Sequence, residues 1–536
     1  MKYNDSDNQL NEDTKLIISK MEKELKSKDK EIDTLKKRLA FLENQVLNKN
    51  RKIFGSSSEQ MDSAQLSIFN EPEKLHDPKM GEPELEEVVY VRAKPSKNTG
   101  KKDNLSNLEK VTIEHKLKEG QDSCNECGNP LKIIGKKSKE ILKYIPAKLY
   151  IEEHITYSYA CRSCDDLKTN IITASAPKTL LRKSMASNDI LSHVISLKYQ
   201  YALPLYRQET YFKMLGANLS RQTLSNWIMS VSNELLCVFD LMKEQLIKSN
   251  YIQADETTLK VIHDKGKESK SKKYMWLYKT AGDNKKIVLY DYQNTRSSSC
   301  PKKFLKNFSG CLQTDGYDGY NKVENIKRLY CLAHIRRKYY EIIVNLNEEA
   351  LKKSRGVIGF NLCEKIYKLE KSIREKYSEA EDYYKLRYDI RLEKLKPLLE
   401  EFKEYVDIEI KDALPKSPLG KALEYSKKLL PKMETILEDG SLEIDNNGAE
   451  RAIKPFVIGR KNWLFSNTSK GAMASALIYS IIETAKANDL VVEKYLLYLM
   501  NEISKLEDIE RTKENLLELM PWSNMLPEEL KIEKKK

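Results

Sequence analysis

No run of apolar residues in this chain approaches the roughly 20 that a bilayer-spanning helix needs, so a helical membrane protein is excluded. The opening residues, Met-Lys-Tyr-Asn-Asp-Ser-Asp, lack the apolar core of a secretion signal. The expected location is the cytosol, with no membrane partner. Nothing resembles a phosphate-binding P-loop or a Gly-x-Ser-x-Gly elbow, and no Ser-His-Asp arrangement is suggested. Cysteine is sparse: nine residues, four of them in two C-x-x-C pairs and five scattered (Cys237, Cys300, Cys311, Cys331, Cys363). An odd count in a cytosolic chain speaks against a disulfide framework and leaves metal binding for the pairs. Acid is also short of base, and the net charge is +13. Such a balance favours a polyanionic partner, nucleic acid before membrane, and says nothing of the fold.

At 536 residues the chain is too long for one core, so three or more domains are expected. Residues 1–50 carry a heptad. Ile18, Leu25, Ile32, Leu39 and Val46 recur every seven residues, and Met21, Leu35 and Leu42 fill the second apolar position, with Lys28 the one break. A narrow stripe with charged flanks predicts a leucine-zipper-like coiled coil that pairs protomers into a homodimer or higher assembly. A single helix packed on its own chain is the plainer alternative. Residues 51–110 read as a linker, with Pro72, Pro78, Pro83, Pro95 and a basic run from Lys94 to Lys102.

Within residues 111–175, Cys124-x-x-Cys127 and Cys161-x-x-Cys164 are separated by 33 residues. Two knuckles supplying four thiolates satisfy tetrahedral Zn²⁺, and a closed four-ligand site is structural rather than catalytic. The alternating stretch Leu149–Tyr159 predicts a strand between them. Residues 176–248 read as helices: Ile190 to Tyr201, Leu205 to Leu215, a turn at Gly216, and a third helix with Ser220 as N-cap. Helix, short turn and a helix opening Ser-Arg-Gln-Thr suggest a helix-turn-helix presenting Arg221 and Gln222 to DNA. An ordinary helical bundle fits the same pattern.

From residue 249 the period becomes strand-like. Strands are expected over 251–262, 275–281 and 286–292, a helical turn over 302–308, strands over 311–317 and 328–331, then a helix opening Ala-His-Ile-Arg-Arg. That order predicts an α/β layer with a mixed sheet over residues 249–340. Residues 341–444 read as a helical insertion. Residues 445–490 hold the stretch Asp445–Phe465 and an apolar helix from Ala472 to Ala487, and 491–536 a C-terminal helical region.

Asp255 lies in the first strand and Asp315 at the end of the fourth, so both can meet at one end of the sheet. Glu450 would arrive from a helix after the insertion. Converging carboxylates among Lys and Arg are what two Mg²⁺ (or Mn²⁺) ions need for phosphoryl transfer, with no nucleophilic side chain. Glu256, Asp318 and Asp445 compete as neighbours, Glu256 facing the other side of its strand. For Glu450 the plain alternative is a capping box, with Asn447 as N-cap and Glu450 three residues on. Pro455 is expected to end or kink that helix. Arg336, Arg337, Arg451, Lys454, Arg460 and Lys461 are candidate DNA contacts. His334 is a candidate to orient a phosphate or a carboxylate, and Trp463 reads as core.

Six motifs carry a family resemblance: Gln-Ala-Asp-Glu-Thr (253–257), Leu-Gln-Thr-Asp-Gly-Tyr-Asp-Gly-Tyr (312–320), Cys-Leu-Ala-His-Ile-Arg-Arg-Lys (331–338), Asn-Asn-Gly-Ala-Glu-Arg-Ala-Ile-Lys-Pro (446–455), Gly-Arg-Lys-Asn-Trp-Leu-Phe-Ser (459–466) and the run 479–488. With Lys-Ile-Phe-Gly-Ser-Ser-Ser-Glu (52–59), they resemble, in order, the insertion-sequence-66 family of transposases. The resemblance implies a ribonuclease H-like core with an Asp-Asp-Glu triad falling on Asp255, Asp315 and Glu450. It further implies a helical insertion before the Glu, an amino-terminal zinc-binding region and a zipper-like start. The expected activity is cleavage and strand transfer of double-stranded DNA at the element's terminal repeats, with accessory proteins of the element as candidate partners. A nuclease of the same fold that cuts without joining, and a non-catalytic zinc and helix-turn-helix regulator, are the alternatives.

Overall fold

The computed structural model describes residues 147–160, 171–264, 267–268, 272–282, 285–344 and 346–533, with Lys28 and Thr112 as single positions. The described residues from Leu149 onward belong to one compact unit. The expected coiled coil, the linker and Cys124, Cys127, Cys161 and Cys164 lie outside the described residues. Among the described residues, no helix is long and apolar enough to cross a membrane.

A short antiparallel pair comes first, β1 (Ser158–Ala160) with β2 (Ile171–Thr173). The strand expected over Leu149–Tyr159 is therefore reduced to its end. Tyr150, Ile151 and Ile155 are exposed, and alternation specifies a strand only where one face is buried.

Four helices follow: α1 (Asn188–Tyr199), α2 (Leu205–Met214), α3 (Arg221–Glu234) and α4 (Leu236–Ile247). Gly216 holds a φ of +92° in the turn before α3, a value a Cβ disfavours. The Ser220 hydroxyl accepts the Thr223 N–H at 3.1 Å, so the expected N-cap is the one used. Leu224, Trp227, Ile228 and Val231 form the buried face of α3, while Arg221 and Gln222 at its start are exposed.

The central layer is a five-stranded mixed sheet. Its strands are β3 (Tyr251–Leu259), then, after β4 (Val261–Asp264) and β5 (Lys267–Glu268), β6 (Lys273–Thr280) and β7 (Val288–Gln293). Helix α5 (Ser299–Phe304) precedes β8 (Gly310–Thr314) and β9 (Ile326–Tyr330). The strand order is β7-β6-β3-β8-β9. β3 pairs antiparallel with β6 and parallel with β8, and β9 is parallel to β8. The strand expected over 251–262 breaks at Lys260, whose carbonyl accepts the Ser466 N–H at 2.9 Å. Its second part joins a separate three-stranded sheet, ordered β10-β4-β5, through β10 (Ser466–Thr468).

Helix α6 (Leu332–Ile343) leaves β9 and enters the helical insertion. The insertion comprises α7 (Glu348–Lys353), α8 (Gly356–Tyr377), α9 (Tyr383–Ile390), a π-helical turn (Arg391–Leu395), α10 (Lys396–Asp412) and α11 (Pro418–Met433). It has its own core, in which Tyr339, Leu362, Phe402, Leu423 and Leu430 are buried together. A buried ion cluster locks its exit. Arg387 and Arg391, 1% and 0% exposed, both bond Glu370, and Arg387 also bonds Glu443. Two charges on one carboxylate are tolerated inside because the remaining donors are also met: Arg387 donates to Gly440 O at 3.2 Å and Arg391 to Ile436 O and Asp439 O at 3.3 Å.

The chain returns in α12 (Asn447–Trp463), then passes through β10 to α13 (Ser469–Ala487), α14 (Val492–Lys505) and α15 (Lys513–Glu518). Edge strand β7 would present bare N–H and C=O groups, and α13 covers them with hydroxyls. The Tyr290 N–H donates to Ser480 Oγ at 2.8 Å, and the Val288 N–H to Thr484 Oγ1 at 3.0 Å, which returns a bond to Val288 O at 3.0 Å. Residues four apart on the helix thus meet residues two apart on the strand, which accounts for the Ser and Thr within an otherwise apolar helix. Trp463 packs against the rings of Tyr199 and Tyr479, each centroid 6.3 Å away, and is core, as expected.

Candidate active site

The register of the sheet sets the positions of the first two acids. Asp255 is central in β3, and Asp315 follows the last residue of β8, the strand running parallel beside it. Asp255 Oδ1 accepts the Glu256 N–H at 2.8 Å, and Asp315 Oδ1 accepts the Tyr317 N–H at 2.9 Å, so each is oriented by its own turn of chain.

Glu450 sits in the first turn of α12, and what fixes that turn is a buried polar network. Gln253 and Gln313, 2% and 0% exposed, bond each other at 2.8 Å. Gln253 donates to Asp445 O at 3.2 Å and Gln313 to Glu443 O at 2.7 Å. The Tyr251 hydroxyl donates to Gln313 and accepts the Glu443 N–H at 3.1 Å. The Asn446 side-chain amide donates to Ala254 O at 2.9 Å, and its N–H to Cys331 Sγ at 3.1 Å. A Cβ on Gly448 would lie 2.2 Å from Gln253 Oε1, so the helix approaches β3 as closely as only glycine permits. The chain thus returns from the insertion on a seat made by β3, β8 and α6.

The capping-box alternative does not hold. The N-cap is Asn446, not Asn447, and its side chain makes no capping bond. Asp445 accepts the Asn447 N–H at 3.1 Å and the Asn447 side-chain amide at 2.8 Å, so that acid serves the helix start. Glu450 Oε1 is buried and has no hydrogen-bond partner. Pro455 does not end the helix, which continues to Trp463. Proline removes one N–H from the ladder, and in the same turn the Tyr290 hydroxyl donates to Ala452 O.

Neighbouring carboxylates act on Asp255 and Glu450. Burial, then the charges of Glu256, Glu450 and Asp315, hold the Asp255 carboxyl well above its ordinary range. Burial raises Glu450 too; Arg337 opposes the rise, while Asp445 and Asp315 add to it. Glu256 is committed elsewhere: its carboxylate meets Arg296 Nε at 2.8 Å and the Tyr320 hydroxyl at 2.5 Å. Asp318 is exposed and pairs with Lys428 at 3.0 Å.

Helix α6 supplies the opposite wall. His334 Nε2 lies 3.9 Å from Glu450 Oε1. Burial, with the charges of Arg337 and Lys338, pushes its imidazole down to about 4, against a weaker pull from Asp315. The neutral ring is the form that ligates metals and accepts protons. His334 and Arg337, three residues apart, share a helix face. The successive Arg336 and Arg337 therefore part company. Arg337 acts on Glu450 and His334, whereas Arg336 pairs with Glu364 in the insertion and lies 4.8 Å over the Phe360 ring. Arg460 likewise turns inward, donating to Thr257 Oγ1 and Thr258 Oγ1 at 3.2 Å. These bonds tie both side chains within the protein. Arg451 and Lys461 are exposed on α12, with Lys454 half-buried between them.

The insertion also touches the site. A Cβ on Gly316, next to Asp315, would lie 2.8 Å from the Tyr425 hydroxyl of α11. Cys331, Gln253, Asn446, Gly448 and Tyr425 are the site residues that sequence reasoning missed. Only Cys331 carried a signal, the Cys-x-x-His spacing to His334.

The site is thus an α/β layer with acids on two parallel strands and a following helix, bordered by a helix rich in arginine. Residues 183–474, more than half of the chain, match the sequence model of the Transposase IS66 family. The chain belongs to that family. Residues 121–165 match the zinc-finger binding domain of transposase IS66, and residues 42–113 the model described as Transposase C of IS166 homeodomain. The chain is similar to uncharacterized proteins y4qI and y4jD of Sinorhizobium fredii. It is 28% identical to each, over 73% of this chain and 72% of y4qI, and over 75% and 78% for y4jD. Uncharacterized protein y4hP of the same organism is 25% identical over 75% of this chain and 73% of its own.

Proposed function

We propose that this chain is an insertion-sequence transposase that cuts DNA at the ends of its own element and joins the freed 3′ end to target DNA. The core would be ribonuclease H-like, with Asp255, Asp315 and Glu450 as its triad. The observation that supports the reading is the register that sets Asp255 on β3 beside the end of parallel β8, where Asp315 follows, with the start of the Glu450 helix bonded against β3.

These residues fit divalent cations. The acids are all hard oxygen donors, and Glu450 Oε1 is buried without a hydrogen-bond partner. Asp255, Asp315 and Glu450 would hold Mg²⁺ or Mn²⁺, which supplies charge neutralisation at the scissile phosphate and a lower pKa for the attacking oxygen. The chain's own groups do the rest. Asn446 and Gly448 keep Glu450 over β3. Arg337 balances the cluster and offers donors to a phosphate, and His334 stands beside Glu450. Arg451, Lys454 and Lys461 would follow the DNA backbone, making binding steeply salt-dependent. Arg221 and Gln222 at the start of α3 would read the terminal repeat. The four-cysteine finger would hold structural Zn²⁺, and the heptad region would pair two protomers so that two ends are held together.

The test is cleavage and strand transfer on end DNA with D255N, D315N and E450Q. Each is expected to lose at least about 10³-fold in cleavage, about 4 kcal/mol of barrier, while still binding the ends. Cleavage without joining by the wild type would favour the nuclease reading. Retention of cleavage in all three variants would overturn the triad.

A further inference from the structure

We propose that Cys331, His334 and Glu450 form a second zinc site, separate from the finger and sharing one ligand with the carboxylate cluster. Cys331 is the N-cap residue of α6 and His334 lies in its first turn, so Cys-x-x-His spacing puts both side chains on the face toward α12. Their ligand atoms and a Glu450 oxygen all lie within 4.8 Å of one another. The 3.9 Å between His334 Nε2 and Glu450 Oε1 is too long for a hydrogen bond, which closes at about 2.7–3.2 Å. It is close to the edge of a ligand tetrahedron, roughly 3.3–3.6 Å when N and O each sit about 2.0–2.2 Å from Zn²⁺.

Two further observations point to a ligand. Glu450 Oε1 is buried and without a hydrogen-bond partner, an arrangement that costs free energy unless something meets it. Cys331 Sγ accepts the Asn446 N–H at 3.1 Å, the backbone-to-sulfur contact that supports a ligating thiolate from outside the coordination shell. Binding exchanges the thiol proton for the metal and releases it to solvent.

The donor set decides the ion. One sulfur, one imidazole nitrogen and one carboxylate oxygen favour Zn²⁺, whereas Asp255 and Asp315 offer only hard oxygen and favour Mg²⁺ or Mn²⁺. Three protein ligands leave a fourth position for water or a phosphate oxygen. On the triad reading above, and resting on it, zinc here draws Glu450 away from Asp255 and Asp315 and so opposes strand cleavage.

The experiment is zinc content by mass spectrometry on the full-length chain, equilibrated with excess Zn²⁺ and desalted. The expected result is two zinc ions per chain in the wild type. C124S/C127S should hold one, C331S and H334Q one each, and C124S/C127S/H334Q none. Cobalt substitution of C124S/C127S should show a single-thiolate charge-transfer band that C331S removes. D255N and D315N should keep both zinc ions whatever their cleavage activity, so failure here is distinguishable from failure of the triad. One zinc in the wild type and none in C124S/C127S would overturn the site, as would a second zinc that survives H334Q. If C331S does not fold, H334Q, which keeps the ring's approximate size and polarity, carries the decision.

Discussion

The side-chain amide of Asn446 donates to the carbonyl of Ala254 at 2.9 Å, tying the start of the Glu450 helix to the strand residue just before Asp255. Two acids almost two hundred positions apart in sequence are thereby held by one short bond between their neighbours. Removing it tests whether Glu450 is positioned by this seat. Asn446→Ala leaves a buried acceptor short of a donor, at a cost of about 1–3 kcal/mol. Denaturant unfolding should show that loss, and cleavage of end DNA should fall further than end binding does. Equal losses in cleavage and binding would mean that the bond serves stability alone.

Gly448 is the second support. An added methyl would lie 2.2 Å from Gln253 Oε1, and a buried glutamine fixed by three partners yields little. Gly448→Ala should therefore destabilise by about 1–3 kcal/mol and slow cleavage. Shortening the opposing side chain in Gly448→Ala/Gln253→Ala should cost less than the sum of the two single changes. Additive losses would show that the two residues do not press on each other.

Thr484 tests the cover over the sheet edge. Thr484→Val keeps the shape but removes both bonds to Val288, leaving a buried N–H and C=O unpaired. The expected loss is roughly 1–3 kcal/mol, with Thr484→Ser close to wild type in thermal unfolding. A valine variant as stable as wild type would mean that water or another group serves the edge.

Asp291 gives a pH prediction away from the acids of the site. Burial pushes its carboxyl up to about 6, although a bond from Gln293 at 2.7 Å works the other way. A raised carboxyl binds its proton more tightly in the folded state, so stability is full below the unfolded pKa near 4 and is lost as pH rises through about 6. Asp291→Asn should match wild type at pH 4 and exceed it by roughly 1–3 kcal/mol above pH 7. A stability difference that does not change with pH would refute the assignment.

The sheet was legible because its strands are short apolar runs with strong alternation, and the same alternation gave the positions of Asp255 in its strand and Asp315 at a strand end. Ser220 was legible as a cap because a hydroxyl before a polar first turn has one dominant use. What stayed hidden depends on partners distant in sequence. Gln253 and Gln313 look like solvent-facing residues of a strand until the returning chain supplies the carbonyls they bond. Asn446 caps through Asp445 and spends its own side chain on Ala254, so the helix begins one residue earlier than local rules place it. Pro455 reads as a terminator, yet the helix runs through it to Trp463. Nothing in their order distinguishes Arg336 from Arg337. Helical rotation sends one to Glu364 and the other toward Glu450.

Residues 443–446 are seated by Tyr251, Gln253, Gln313, Ala254 and Cys331. The placement of Glu450 is therefore decided where the chain comes back to the sheet, whatever the length of the excursion before it. Lengthening such an excursion costs free energy only as the logarithm of its length. Outer turns of the insertion, away from the Glu370 cluster and Tyr425, could therefore lengthen or shorten without moving that seat.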